Sequence, residues 1–458
     1  MHHRRSLVVI DIVGLTPGLL GAHTPHLNQL ANDGFLATME GVFPAVTCTA
    51  QSSMLTGLKP RDHGIVGNGW YFRDLAEVWF WRQSNRLVRG EKVWETAREL
   101  FSGFTAANLF WWYNMYSSID HAVTPRPIYP ADGRKIPALY SDPADLEATL
   151  VEALGEFPFF DFWGPKSGIA SSEWLTEAAK LVFGWHRPDL LLVYLPHLDY
   201  NLQRLGPANP KIQEDVRAID AAAGALIEHL RGEDADVLVV SEYGIEPVIG
   251  HVDINRILRA QGYLQVRETL GWEMLDAGAS RAFAVADHQV AHVYVNDPRD
   301  IERVKRLLRA TSGIARVLDD DGKHEWDLNH QRAGELVAVA EGGYWFTYYY
   351  WLDDAKAPDF ARTVDIHRKP GYDPVELFVD PKLKLPAAKV AWRVLQKKLG
   401  MRMLMDVIPL NAELVQGTHG RLHESPDQGP LVIGSRRDLA IDRLAMTDVK
   451  DLMLRHWT

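Results

Sequence analysis

One cysteine, Cys48, in 458 residues leaves no partner for an intrachain disulfide. Nothing in the chain therefore calls for an oxidising compartment, and a reducing cytoplasm is the expected setting. Surplus positive charge is lacking too, since 49 Lys and Arg stand against 60 Asp and Glu for a formal net charge of -11. Broad binding to a phosphate backbone needs cations concentrated on one face, so nucleic acid polymers are not expected as partners. No apolar run approaches the roughly 20 residues that a membrane-spanning helix requires. The start, MHHRRSLVVIDIVGL, is basic and then apolar as a leader would be, but Asp11 interrupts the run and no small-residue cleavage site follows at once. It reads as a buried first strand. Internal repeats with the period of a solenoid or propeller are also missing.

The length exceeds one compact core of ordinary size, so a large central domain with insertions or a second small lobe is expected. Three short, unalternated apolar runs, Leu7 to Ile12, Leu190 to Leu195 and Val237 to Val240, are separated by helical patterns. Such runs suit parallel strands covered on both faces, which predicts a doubly wound α/β fold. Each leads directly into polar residues: Asp11, then His197 and Asp199, then Glu242 and Tyr243. In sheets of this kind function collects at the carboxyl ends of the strands. Residues 1–250 are expected to form the core, with an aromatic-rich insertion over about 67–165. A strand, helix, strand pattern predicts a small α+β lobe over 251–325. The remainder of the core and C-terminal helices follow over 326–458. The aromatic stretch either lines a pocket, with Trp70, Tyr71 and residues on to Trp112 against a substrate ring, or packs as a subdomain core. Lys382 to Arg402 reads as a basic amphipathic helix that is either a solvated surface helix or a contact for anionic lipid or a partner.

The segment FPAVTCTAQSSMLTGLKPRDHGIVGN, Phe43 to Asn68, carries the most information. Thr47 precedes a helical run that stops at Gly57, the place of an N-cap residue. A hydroxyl there meets free backbone N–H groups and the positive end of the helix dipole, which favours an alkoxide and a bound phosphate. An ordinary capping threonine satisfies the same spacing.

The pattern formed by Pro44, Thr47, Thr56, Gly57, Pro60, His63, Gly64, Ile65 and Asn68 resembles the nucleophile region of the nucleotide pyrophosphatase/phosphodiesterase branch of the alkaline phosphatase superfamily. The resemblance covers about 1–250 and 410–440. It implies an alkaline-phosphatase-like core in which Thr47, rather than Cys48 or Thr49, attacks phosphorus to give a phosphothreonine intermediate. The asparagine that the family commonly places three residues after the nucleophile is Ala50 here, with Gln51 or Asn68 as substitutes.

The resemblance further implies a divalent metal cofactor, one or two zinc ions, that clamps the phosphoryl oxygens. Asp199 aligns with a first-site aspartate, in a register supported by Gly206-Pro207, and His419 in GTHGR aligns with the late metal histidine. Gln203 stands where the family has histidine. At the second site the Asp-His pair is replaced by Glu242-Tyr243, and Val13 occupies the position of the first-strand aspartate. Asp11 lies two residues earlier on the same strand face, about 7 Å back by strand rise. The expected metal set is Asp199, His419, Gln203 and Glu242, with Asp11, Tyr243, His197 and His367 as possible additions. His288, Asp365 and His423 are further candidates if the site is rebuilt, and hydrogen-bonded structural histidine is the alternative reading for each isolated His. Asn68, Trp70 and Tyr71 are the expected substrate contacts. The implied reaction is hydrolysis of a phosphodiester or pyrophosphate of a small molecule. The alternatives are carbon–phosphorus cleavage resembling phosphonoacetate hydrolases, and a degenerate member that only holds a phosphorylated ligand.

Overall fold

The structure, a computed structural model, describes residues 4–131, 134–401 and 403–458. Met1 to His3 of the N-terminal run and Arg402 of the basic segment therefore lie outside the described residues.

Leu7–Ile12 has no exposed side chain and sits in the middle of a nine-stranded sheet, between Leu190–Leu195 and Asp236–Val240 and parallel to both. Its apolar character, broken only at Asp11, follows from that position, because helices cover both faces of a central parallel strand. From one edge the order is Arg443–Ala445, Phe35–Glu40, Leu431–Gly434, Asp236–Val240, Leu7–Ile12, Leu190–Leu195, Ala106–Leu109, His121–Pro125 and Leu139–Asp142. The central pairings are parallel, while Leu431–Gly434 and the last strand pair antiparallel with their neighbours. Helices Ala170–His186 and Ile212–Gly232 pack their apolar stripes on this sheet, with Leu175, Val182, Ile219 and Leu226 fully buried. The fold is thus mixed α/β with a large, mostly parallel sheet. All three polar run-outs anticipated from the sequence come off the carboxyl ends of adjacent central strands.

A second sheet, antiparallel, has the order Ala282–Asp287, Val290–Val295, Leu336–Ala340 and Ile314–Leu318. It extends past residue 325 through its strand Leu336–Ala340. Helix Ile301–Arg309 lays Val304 and Leu308 on it. The same core takes in Tyr348, Tyr349, Tyr350 and Trp351, all buried. The hairpin joining Ala282–Asp287 to Val290–Val295 turns at His288, whose φ is 57°, a left-handed conformation that costs a non-glycine residue about 1 kcal/mol or more.

Behind the second core runs a fully buried ionic cluster. Lys369 Nζ lies 2.7 Å from both Asp373 Oδ2 and Glu376 Oε1. Glu376 Oε2 accepts from the Trp163 indole at 2.6 Å, and its Oε1 accepts from the Asp365 amide at 2.9 Å. Burial alone would lower the Lys369 pKa, and the two acidic partners more than reverse it. This cluster fixes the segment that presents Tyr372 to the site described next.

Among the described residues no helix is long and apolar enough to cross a membrane.

Candidate active site

Thr47 is the first residue of helix Thr47–Thr56 and Val46, in extended conformation, is its N-cap. The capping position expected for Thr47 is displaced by one residue, because Val46 is the last residue outside helical geometry. The stop is as anticipated, with Gly57 in the left-handed region at φ 71°. Thr47 is 3 % exposed, and its hydroxyl bonds Tyr243 Oη at 3.1 Å. Tyr243 Oη in turn donates to Asp199 Oδ1 at 3.4 Å. Thr47, Tyr243 and Asp199 thus form one chain of hydroxyls ending at a carboxyl. Asp199 Oδ2 accepts from Gln203 Nε2 at 2.7 Å, four residues on along helix His197–Leu205. Gln203 Oε1 accepts from Tyr372 at 3.2 Å. Burial foremost, then the charge of Glu242, pushes Asp199 up to about 7.

The neighbouring pair is Asp11 and Glu242. Gln51, one turn beyond Thr47, spans them with its amide, donating to Asp11 Oδ2 at 3.1 Å and Glu242 Oε1 at 2.7 Å. Its carbonyl accepts the Trp112 amide at 2.7 Å. Burial raises Asp11 to about 7, and burial together with Asp11 holds Glu242 well above the ordinary carboxyl range. One proton between two adjacent buried carboxyls accounts for both directions. Gln51→Leu is expected to leave the Trp112 amide without its acceptor and the two carboxyls without the amide that bridges them, and to lower stability by about 1–3 kcal/mol in chemical unfolding.

A column of rings closes the site. Tyr243 stacks on His419 with centroids 3.6 Å apart and planes within 8°, His419 meets His288 at 3.6 Å, and His288 meets Tyr372 at 3.7 Å. His419 Nδ1 donates to Ala45 O at 2.8 Å, which turns Nε2 toward Asp199 Oδ1 at 4.0 Å. Burial keeps both histidines neutral, with His419 lowered to about 3 and His288 well below its usual value.

The metal set expected from the sequence does not assemble. Among the described residues no group of three or more His, Cys, Asp or Glu side chains could hold a metal ion. Asp199 and His419 face each other at 4.0 Å as the one carboxylate–imidazole pair of the expected set. Gln203 spends its amide nitrogen on Asp199, and Glu242 turns to Gln51 and Asp11 instead. The neutral Gln51 amide lies between the carboxyls of Asp11 and Glu242, and Tyr243 is a poor ligand while its phenol is protonated, a state that burial favours further. The residues present do not fit a two-zinc centre.

The other candidates separate. His197 Nε2 lies 3.2 Å from Asp215 Oδ1, and His367 contacts Tyr129. Asp365 faces Lys135 at 3.8 Å, and His423 Nε2 bonds the backbone of Gly244. Trp70 and Tyr71 are buried and enter two different apolar clusters. Trp70 stacks on Phe72 and lies under Arg332, while Tyr71 packs into the second core against Phe283 and Tyr294. Asn68 is likewise occupied, its Oδ1 accepting the Cys48 amide at 3.0 Å and its Nδ2 donating to Asp287 at 3.1 Å. It holds the start of the Thr47 helix. For most of the aromatic insertion, packing is the reading the structure favours.

Three participants were not anticipated in these roles: Tyr372, Asp287 as the anchor of Asn68, and His288 as the middle of the ring column. The available signal was ADHQVAH, a polar pair between two apolar strands.

An α/β core with a helix-borne threonine beside buried carboxyls at the strand ends defines an alkaline-phosphatase-like protein. The type I phosphodiesterase / nucleotide pyrophosphatase family matches residues 7–373, and the chain belongs to that family. It is 25% identical over 249 residues to an uncharacterized pyrophosphatase/phosphodiesterase of Schizosaccharomyces pombe, covering 53% of this chain and 45% of that one. It is 21% identical to ectonucleotide pyrophosphatase/phosphodiesterase family member 1 of Homo sapiens, covering 49% and 22%. The chain thus spans less than half the length of these relatives. Among solved structures, phosphonoacetate hydrolase from Sinorhizobium meliloti in complex with phosphonoformate superposes with a TM-score of 0.62 at 14% identity, covering 99% of this chain and 96% of that one. Murine ectonucleotide pyrophosphatase/phosphodiesterase 5, an inactive variant in complex with AMP, gives 0.59 at 14%, covering 99% and 95%.

Proposed function

We propose that this chain hydrolyses a phosphodiester or pyrophosphate bond of a small molecule, with Thr47 as the nucleophile. The observation that carries the reading is the hydroxyl chain from Thr47 through Tyr243 to Asp199 at the start of a helix. As Thr47 Oγ1 bonds to phosphorus and the ester P–O bond breaks, the Thr47 proton moves to Tyr243 and the phenol proton moves to Asp199. The leaving group departs as its oxyanion; water then bonds to phosphorus as the Thr47 Oγ1–P bond breaks, Thr47 Oγ1 regains its proton through Tyr243 from Asp199, and the proton that water gives up goes to the leaving oxyanion. The first-turn amides of the helix favour the anionic phosphoryl oxygens. No step is assigned to zinc. Proton sharing between Asp11 and Glu242 reduces the negative charge that an incoming phosphate would meet. The lone buried Cys48 supports a reducing, cytoplasmic setting.

Aryl phosphodiesters, nucleotide pyrophosphates and phosphonates, assayed with wild type and Tyr243→Phe, test this directly. The variant is expected to lose about 10²-fold in kcat with an unchanged thermal midpoint. Equal turnover by both proteins would remove the relay. Elemental analysis of protein purified without chelator is expected to find substoichiometric zinc, and EDTA is expected to leave activity and unfolding unchanged. Stoichiometric zinc that disappears in His419→Ala would restore a metal reading.

Replacement of family ligand positions by Gln203 and Tyr243 favours a second reading, a site that holds a phosphorylated ligand without turning it over. It is chosen if no substrate in the panel is cleaved while AMP or a phosphonate raises the midpoint of wild type and not of Asp199→Asn.

A further inference from the structure

Helix Pro386–Lys398 carries its amphipathic pattern inside out. Lys389 and Arg393, one turn apart, turn inward onto Asp406, at 3.0 Å and 2.9 Å. Ala388, Ala391, Trp392, Leu395 and, just past the end, Leu399 follow at spacings of three and four residues, the signature of a single apolar stripe. That stripe faces solvent, with Trp392 55%, Leu395 45% and Leu399 66% exposed. Leu385, also exposed, leads into it. Ordinary surface helices place these two faces the other way round, because exposing a contiguous apolar ridge forfeits its burial.

The charge around the stripe identifies what covers it. Residues 382–402 contain seven Lys and Arg and no Asp or Glu, in a chain whose net charge is -11, and of these only Lys389 and Arg393 are committed to Asp406 among the described side chains. Lys382, Lys384 and Lys398 are exposed alongside the stripe. A second copy docking by this helix would bring two such basic segments together, which repulsion disfavours. An anionic bilayer surface meets both demands. A convex ridge of Trp and Leu enters the headgroup boundary while lysines remain at the phosphates. We propose that helix Pro386–Lys398 seats the protein on anionic lipid, lying in the interface without crossing it. This inference is independent of the reading of the Thr47 site.

Co-sedimentation of the full chain with vesicles tests it. At low salt the wild type is expected to bind equimolar phosphatidylcholine/phosphatidylglycerol vesicles at least about tenfold more tightly than pure phosphatidylcholine vesicles. Leu395→Glu/Leu399→Glu, both at exposed positions, is expected to lose that binding while keeping the wild-type thermal midpoint. Lys382→Glu/Lys384→Glu is expected to weaken it and flatten its salt dependence. Failure of the wild type to bind anionic vesicles would overturn the proposal, as would binding indifferent to Leu395→Glu/Leu399→Glu. A lipid-free dimer in sedimentation velocity that the same double variant dissociates would also overturn it, making the stripe a protein interface.

Discussion

Thr47→Ala is expected to lower kcat for any cleaved phosphoester by at least about 10³-fold, with thermal stability close to wild type. No neighbouring group can take over. The Thr49 hydroxyl is turned to the Ile65 carbonyl at 3.3 Å, and burial pushes the Cys48 thiol well above its usual pKa, away from the reactive thiolate. Thr47→Ser keeps the hydroxyl and its bond to Tyr243, and should retain activity within about tenfold. Single-turnover measurement with a chromogenic aryl phosphodiester separates the outcomes. Covalent labelling of Thr47 by phosphate, seen by mass spectrometry of the acid-quenched reaction, is expected for wild type and Thr47→Ser and absent from Thr47→Ala. Equal rates in wild type and Thr47→Ala would end the nucleophile assignment whatever the remaining rate.

The second large effect concerns stability. Lys369→Met should destabilise the protein by about 3–5 kcal/mol, because it leaves Asp373 and Glu376 buried with no cation between them. The side chains are 1–2 % exposed, so water cannot stand in for the ammonium. The triple change Lys369→Met/Asp373→Asn/Glu376→Gln should recover much of the loss, since it removes all the charges together. Urea unfolding at neutral pH reads both. The damage should also reach the site. Tyr372 lies between Lys369 and Asp373 in sequence and holds Gln203, which holds Asp199. If Lys369→Met unfolds at the wild-type urea midpoint, the cluster does not bear on stability.

Much of the architecture was legible in the sequence for a definite reason. Strands buried on both faces are apolar at most positions, so the runs Leu7 to Ile12, Leu190 to Leu195 and Val237 to Val240 declared themselves as central and parallel. The polar residues just beyond them pointed to the sheet's carboxyl edge. The convergence of Thr47, Asp199, Glu242 and His419 was anticipated through family register, and the structure brings Thr47, Tyr243, Asp199 and His419 into contact. What they do together was less legible. Whether a carboxylate binds a cation or a neighbouring amide depends on the few ångströms between side chains carried by different elements. Gln51 belongs to the Thr47 helix, Asp11 and Glu242 to the ends of two strands, and no sequence spacing reports that they meet. For the aromatic stretch the sequence left pocket lining and packing both open for a related reason. Trp70 and Tyr71 are adjacent on one strand and point to opposite faces, so one enters each of two different clusters. The basic segment at Lys382 was read correctly as amphipathic, but periodicity alone cannot say which face turns outward.

The ring column has an architectural consequence. Tyr243 belongs to the core built on the large sheet, whereas Tyr372 belongs to the core of the antiparallel one, and His288 rides on a hairpin of the latter. The four stacked rings therefore act as a clasp between halves that each have their own hydrophobic interior. Neither half owns all four rings, so a fragment or graft carrying the threonine without its antiparallel companion keeps Thr47 and loses the wall behind it. Denaturation of the two halves should accordingly be a single event in the intact chain, and a ligand gripped at the clasp would tighten that union.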